Sequence, residues 1–185
     1  NLAEAYRKAK LLGPKDPPAL IDFANYYPSY GAPAAFMAAP IYDENQLLGV
    51  VAFQMPIDRV NALMSSHEGL GDQGESYLVG GDQLPRSDSR FDAKHRSIIN
   101  AFRNRSQGKM QSDAISNALR GQSGVMESKN YLGSDCVSAY SSINVLGLTW
   151  ALIAEVDRAD AYQAIKKLDK TNAAAIVSLL WWGVG

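Results

Sequence analysis

Two apolar runs, AAFMAAPIY at 34–42 and LLGVVAFQM at 47–55, flank the polar turn Asp43-Glu44-Asn45-Gln46. Short runs rich in branched and aromatic residues, joined by so short a polar link, make an antiparallel hairpin. The rest of the chain must build around that hairpin. Pro56 ends the second run, and Asp58 is placed to cap a helix through Val60, Leu63 and Met64. Glycines at 69, 71 and 74 break the chain before a strand from Glu75 to Val79, which ends at Gly80-Gly81-Asp82. Leu84 to Ser87 is the expected hairpin partner of that strand, weakened by Pro85. Residues 92–121 are polar and read as helix in pieces, with a break at Gly108. Three further strands follow, Gly124 to Lys129, Cys136 to Ile143 and Thr149 to Glu155, with turns at Gly133 and Gly147. Asp157 then caps a last helix through Ala161, Ile165 and Leu168. A short helix from Leu2 to Leu12, ended by Gly13-Pro14, opens the chain, and Asp16-Pro17-Pro18 is a break. Hairpins, an inserted helical stretch and three meandering strands predict an α+β fold, an antiparallel sheet flanked by helices.

Composition narrows the function. With 185 residues the chain is one domain or two small ones. A net charge of −1 gives no basic field, so nucleic acid is not an expected partner. One Cys makes no internal disulfide, and two His with that Cys make no zinc set, so no metal or cofactor is expected. The sequence does not begin with Met and shows no signal segment at its start, so a piece of a longer chain is expected. From Ala173 to Gly185 the run AAAIVSLLWWGVG carries no charge. As a helix it would span about 20 Å against the roughly 30 Å of a bilayer core. It reads as a buried core helix or as the first part of a transmembrane helix, with Lys166, Lys167 and Lys170 before it.

Catalytic motifs are absent or out of context. GLGDQG at 69–74 matches the dinucleotide glycine spacing, but it follows a helix and precedes a strand, the reverse of what a pyrophosphate site needs. GQSGV at 121–125 misses the nucleophile elbow because position 125 is Val. His67 and His95 read as surface helix residues, and Cys136 as a small core residue. No pair of carboxylates stands out for acid–base work, so no catalytic residue is assigned and no enzyme is expected. Polar and aromatic residues on strands and turns remain: Asp22, Tyr26, Tyr27, Ser29, Tyr30 and Phe36, then Tyr77, Arg86, Ser87, Asp88, Ser89, Arg90, Tyr131, Ser138 and Tyr140. Aromatic walls, an Arg fork and hydroxyls suit a small anionic or zwitterionic ligand. A solvated hairpin with internal Arg–Asp pairing fits the same residues.

The stretch DFANYYPSYGAPAAFMAAPIYDENQLLGVVAFQMPIDRVNALM at 22–64 resembles the end of a membrane-distal Cache module. GLGDQGESYLVGGDQLPRSDSRF at 69–91 resembles the opening of the membrane-proximal module of bacterial methyl-accepting chemotaxis proteins and sensor histidine kinases. SAYSSINVLGLTWALIAEVDRADAY at 138–162 resembles its closing strands and exit helix. The resemblance implies a PAS-like extracytoplasmic sensor divided as 1–65, the distal remnant, 66–157, the proximal module, and 158–185, the exit helix and start of a transmembrane helix. It implies a bacterial inner-membrane receptor, sensing in the periplasm or outside the cell, assembled as a homodimer, with a signalling module inside. The implied proximal pocket maps onto Tyr77, Arg86, Ser87, Asp88, Ser89, Ser138 and Tyr140, with Arg86 pairing a short carboxylate. A second candidate pocket, in the distal remnant, comprises Tyr27, Ser29 and Phe36. The Tyr-x-Arg and Trp-Tyr signature of amino-acid-binding relatives is not found, so amino-acid sensing is not carried over. The alternative is a ligand-free dimerisation relay of a sensor kinase or similar membrane protein.

Overall fold

The computed structural model describes residues 1–66 and 69–163. Two antiparallel sheets follow one another along the chain. The first holds β1 (Ala19–Asn25), β2 (Pro33–Asp43) and β3 (Gln46–Gln54) in the order β1-β2-β3. Helix α1 (Leu2–Ala9) packs on one face, where Ala5, Ala9, Ile21, Ala34, Phe36 and Ala38 form a core. Helix α2 (Ile57–Met64) leads out of this sheet. The second sheet holds β4 (Glu75–Gly80), β5 (Gly124–Lys129), β6 (Asp135–Val145) and β7 (Leu148–Asp157) in the order β4-β7-β6-β5. Between β4 and β5 run four short helices, α3 (Ala93–Arg96), α4 (Ile98–Arg103), α5 (Arg105–Gly108) and α6 (Asp113–Leu119). The α+β class and the flanked antiparallel sheet are as the periodicity predicts.

Several local expectations are corrected. The N-cap of α2 is Pro56, and Asp58 lies inside the first turn, where its charge favours the helix dipole without capping an N–H. Leu84 to Ser87 makes no strand; one bridge, Val79 to Pro85, joins it to β4, and Pro85 has no N–H to extend the ladder. Strand β1 was not expected at all. It follows directly on Pro17-Pro18, and Asp22 interrupts its apolar alternation. Residues 158–163 are helical after Asp157, whose Oδ1 accepts the N–H groups of Ala159 at 2.7 Å and Asp160 at 3.3 Å. The rest of the expected exit helix and the apolar run Ala173 to Gly185 lie outside the described residues. Among the described residues, no helix is long and apolar enough to cross a membrane.

In the second sheet β4 and β7 are covered on both faces, whereas β5 is largely exposed. One face carries Tyr77, Val79, Ala151 and Ile153 against α6, which presents Ala114, Ile115 and Ala118. Ser112 caps α6, its hydroxyl accepting the Ile115 N–H at 3.2 Å. The other face carries Leu78 and Trp150 against Ile98, Ala101 and Phe102 of α4 and against Phe23 and Ala35 of the first sheet. This last cluster joins the two sheets.

A buried ion pair lies at the same junction. The register of β1 on β2 shifts between Ile21 and Ala24, and that irregularity falls on Asp22-Phe23. Both residues reach the second unit. Phe23 meets Phe102 at 6.4 Å between ring centroids. Asp22 accepts two bonds from Arg86, Nε to Oδ1 and Nη2 to Oδ2, each 2.7 Å, and a longer one from Trp150 Nε1 at 3.3 Å. Arg86 also pairs with Asp82 at 3.0 Å and donates to the Leu84 carbonyl. Its guanidinium lies so close to Gly80 that a Cβ there would sit 2.2 Å from it, so only glycine fits. Removing one partner of a buried pair leaves an uncompensated charge, at a cost of about 3 kcal/mol. Arg86→Ala is therefore expected to lower the unfolding free energy measured in urea by that order, with a lower midpoint, and Gly80→Ala to lower the midpoint in the same direction. An unchanged midpoint in Arg86→Ala would remove the pair from the account of stability.

Candidate functional site

Strand alternation places Glu75, Tyr77 and Val79 of β4 on one face, with Ala151, Ile153 and Glu155 of β7 beside them. Glu75 pairs with Glu155 across β4 and β7, and Ser138 pairs with Glu155 across β6 and β7. Two carboxylates thus stand side by side in the sheet, exposed by only 2% and 3%. No pair of carboxylates stands out for acid–base work in the sequence; the sheet register brings this one together.

Hydroxyls surround the pair. The Tyr131 hydroxyl donates to Glu75 Oε1, and Ser89 Oγ lies 2.6 Å from that hydroxyl. Glu75 Oε2 accepts the Arg90 N–H at 3.0 Å. Glu155 Oε2 accepts from Tyr77 at 3.0 Å, from Ser138 at 3.4 Å and from the Cys136 thiol at 3.9 Å. Glu155 Oε1 is buried and has no donor in hydrogen-bonding geometry among the described residues, although the Asn130 amide stands near enough to favour the charged form.

Burial dominates the titration of these groups. It pushes Glu155 up to about 7, against the Tyr77 hydrogen bond that lowers it, and the neighbouring Glu75 charge pushes the same way as burial. Burial also raises Glu75, with the Tyr131 and Arg90 bonds opposing. Tyr77 and Tyr131 are raised, first by burial and then by the adjacent carboxylates. Burial raises the Cys136 thiol, so a nucleophilic thiolate is disfavoured there.

Two cavities flank the cluster. One, of about 340 Å³, lies between α2 and the Glu75 end of β4 and includes Asn61, Met64, Asp88, Ser89 and Arg90 in its wall. The other, of about 220 Å³, lies at the Glu155 end of β7 and includes Gln73, Phe91, Asn130, Ser134 and Asp157. Among the described residues, no three His, Cys, Asp or Glu are grouped to hold a metal ion.

The expected site residues divide. Tyr77 and Ser138 belong to the cluster and bond Glu155. Ser89 belongs to it through Tyr131. Asp88 lines the larger cavity, but its Oδ1 already accepts the Ile98 N–H at 2.7 Å. Ser87 is fully buried and ties the loop to β4 by accepting the Leu78 N–H. Tyr140 packs on the apolar end of the same face, beside Gly124. Arg86 is elsewhere: it faces the first sheet, 2% exposed, its fork taken by Asp22 and Asp82. The internal Arg–Asp pairing is thus the arrangement found, and Arg86 does not face a cavity beside the cluster. Tyr27, Ser29 and Phe36 do not converge. Tyr27 and Ser29 project from an exposed turn, whereas Phe36 is buried under α1 against Tyr26.

Glu75 and Glu155 were not singled out from sequence, although Glu75 in GESYLVG and Glu155 in TWALIAEVD stand in phase with the inward positions of an apolar strand. That phase is the signal that finds them. Below pH 4.5 Glu155 is protonated in both folded and unfolded chains. Between 4.5 and about 7 the folded chain holds its proton more tightly, so stability falls as pH rises through that window. The shift corresponds to roughly 3 kcal/mol. Urea unfolding at pH 5 and pH 7.5 is expected to show the loss, and Glu155→Gln to flatten it.

No family model and no curated protein sequence matches the chain. Solved structures do match. The sensory domain of the Campylobacter jejuni chemoreceptor Tlp1, described as periplasmic, superposes with a TM-score of 0.55 at 18% identity, over 87% of this chain and 55% of that one. The ligand-binding domain of the Pseudomonas fluorescens chemoreceptor CtaA, in complex with L-isoleucine, gives 0.53 at 17% identity, over 86% and 59%. That of the Pseudomonas aeruginosa amino-acid chemoreceptor PctC, in complex with GABA, gives 0.52 at 20% identity, over 82% and 60%. The chain thus has the fold of chemoreceptor ligand-binding domains, and it spans 55–60% of the length of these three.

Proposed function

We propose that the chain is a small-molecule-sensing region of a bacterial transmembrane chemoreceptor. The fold it shares with chemoreceptor ligand-binding domains supports the class. One structural observation carries the reading further: the strand bearing the buried Glu155 is also the strand that leads into the helical residues 158–163. Glu155 stands two residues before the Asp157 cap. The first helical residues are tied back to the sheet edge, with Tyr162 donating to Glu127 at 2.6 Å and Arg158 pairing with Asp135 at 3.4 Å. A ligand that changes the Glu155 environment therefore acts on the start of that helix. It does so only to the extent that it binds one arrangement better than the other.

On this reading residues 1–65 are the end of a membrane-distal Cache module and 66–157 the membrane-proximal module. The segment 158–185 leads into the membrane. The receptor is a homodimer in the inner membrane with its sensor in the periplasm, and it catalyses no reaction. The proximal site is rebuilt around Glu75, Tyr77, Ser89, Tyr131, Ser138 and Glu155, with Arg86 holding the two sheets together.

Thermal unfolding in the presence of organic acids, amines and amino acids tests the proposal. A cognate ligand at a hundred times its dissociation constant stabilises the native state by about 2.7 kcal/mol. A clear rise in unfolding temperature with one chemical class is expected. No rise with any class would favour the ligand-free relay.

A further inference from the structure

We propose that a cavity between the two sheets, beside Arg103, takes a small carboxylate with a short apolar stem. It lies apart from the cluster of Glu75 and Glu155, so the inference stands independently of the site proposed above.

Two elements from different units enclose the space. The turn from β1 to β2 contributes Asn25, Ser29, Tyr30 and Pro33, and helix α4 contributes Ile99 and Arg103. The cavity measures about 370 Å³, in the lower part of the range of small-molecule sites, roughly 300–1,000 Å³. The turn is held by its own backbone. The Tyr26 carbonyl accepts the N–H groups of Ser29 at 3.0 Å and Gly31 at 3.1 Å, and the Tyr26 ring meets Phe36 edge-on at 5.0 Å between centroids. Helix α4 is held by Phe102, which is buried against Phe23. Both sides of the cavity are therefore set before a ligand arrives, and little ordering is left for binding to offset.

Charge decides the class of ligand. Arg103 is the one charged residue in the described wall, which holds no Asp or Glu. Arg86, Arg96 and Arg105 each pair with an aspartate. Arg103 is exposed and has no acceptor among the described residues. The same sign extends along the chain, since residues 93–112 carry Lys94, Arg96, Arg103, Arg105 and Lys109 and no Asp or Glu. Such a surface draws an anion and repels a cation. A guanidinium without a partner presents two parallel N–H donors that match a carboxylate. The fork expected of Arg86 is spent in the joint between the sheets, and Arg103 has one to offer. The side chains of Asn25 and Ser29 also lack partners among the described residues and add hydrogen-bonding capacity to the same wall.

Ile99 sets the body of the ligand. It stands four residues before Arg103, on the same side of α4, and is 45% exposed. The other side of the helix, Ile98, Ala101 and Phe102, is buried. With Pro33 of the turn, Ile99 gives apolar surface for a few carbon atoms next to the carboxylate. Because the walls come from both units, a bound carboxylate favours the seated arrangement of the two sheets, to the extent that it binds that arrangement better.

Calorimetry on the 185-residue chain at pH 7 with butyrate, butanol, butylammonium and sulfate tests the assignment. Butyrate is expected to bind, and the other three to bind at least tenfold more weakly. Arg103→Gln is expected to lower the butyrate affinity tenfold or more. Ile99→Glu removes the apolar contact and sets a carboxylate four residues from Arg103, where it occupies the guanidinium. A similar loss is expected from it. Both positions are exposed on α4, and far-ultraviolet circular dichroism checks that each variant folds. No binding of butyrate, equally tight binding of butanol, butylammonium or sulfate, or an affinity unmoved by either variant would overturn the assignment.

Discussion

Arg86 anchors the relation between the two sheets. Its guanidinium is bonded through one edge, Nε and Nη2, to Asp22 of the first sheet, and it pairs with Asp82 of its own turn. A stacking contact adds to this, with Phe102 at 5.5 Å beneath the guanidinium. Charge burial on this scale is tolerated because every favourable partner is already in place: a bidentate carboxylate, a carbonyl and an aromatic face. The geometry demands three sequence features far apart. These are a strand irregularity at Asp22-Phe23, a glycine at 80 and the Trp150 indole that also reaches Asp22. The apolar cluster of Phe23, Leu78, Phe102 and Trp150 supplies the bulk of the cohesion, and the ion pair gives it one orientation.

The second sheet shows the opposite balance on its other face. Its apolar half, Tyr77, Val79, Ala151 and Ile153, is closed by α6 and offers no space. Its polar half sets two like charges directly across from each other, which is unfavourable unless one is neutral or compensated. The fold answers with hydroxyls, a thiol and one backbone N–H. Burial consequently holds Glu155 partly protonated near neutrality. Apolar residues of similar volume at these two positions would avoid that cost.

Much of the architecture was legible because strands and turns announce themselves through alternation and glycine. The β2–β3 hairpin, β4, the meander β5–β7 and the helical pieces from 93 to 119 all follow from that pattern. β1 escaped because seven residues after a double proline carry a mid-strand Asp, and its identity depends on pairing with β2. The site was legible only in part. Of the expected residues, Tyr77, Ser89 and Ser138 stand at the carboxylate cluster, whereas Arg86 is bonded to Asp22 of the first sheet. An Arg near hydroxyls resembles an anion site until its tertiary partner, 64 residues earlier in the chain, is known. Glu75 and Glu155, 80 positions apart, show no catalytic spacing in the sequence, and only their phase as inward members of apolar strands marks them.

Strand β7 has a further consequence. Near its beginning Trp150 touches the Asp22 joint, and near its end Glu155 enters the polar cluster, with four residues between them. Ten residues of extended chain, about 33 Å, therefore act as one shared beam. A disturbance of the first sheet's seating and an event beside Glu155 load the same member, from opposite ends. Two stimuli would reach residues 158–163 already summed, reinforcing or cancelling one another before anything downstream could read them apart.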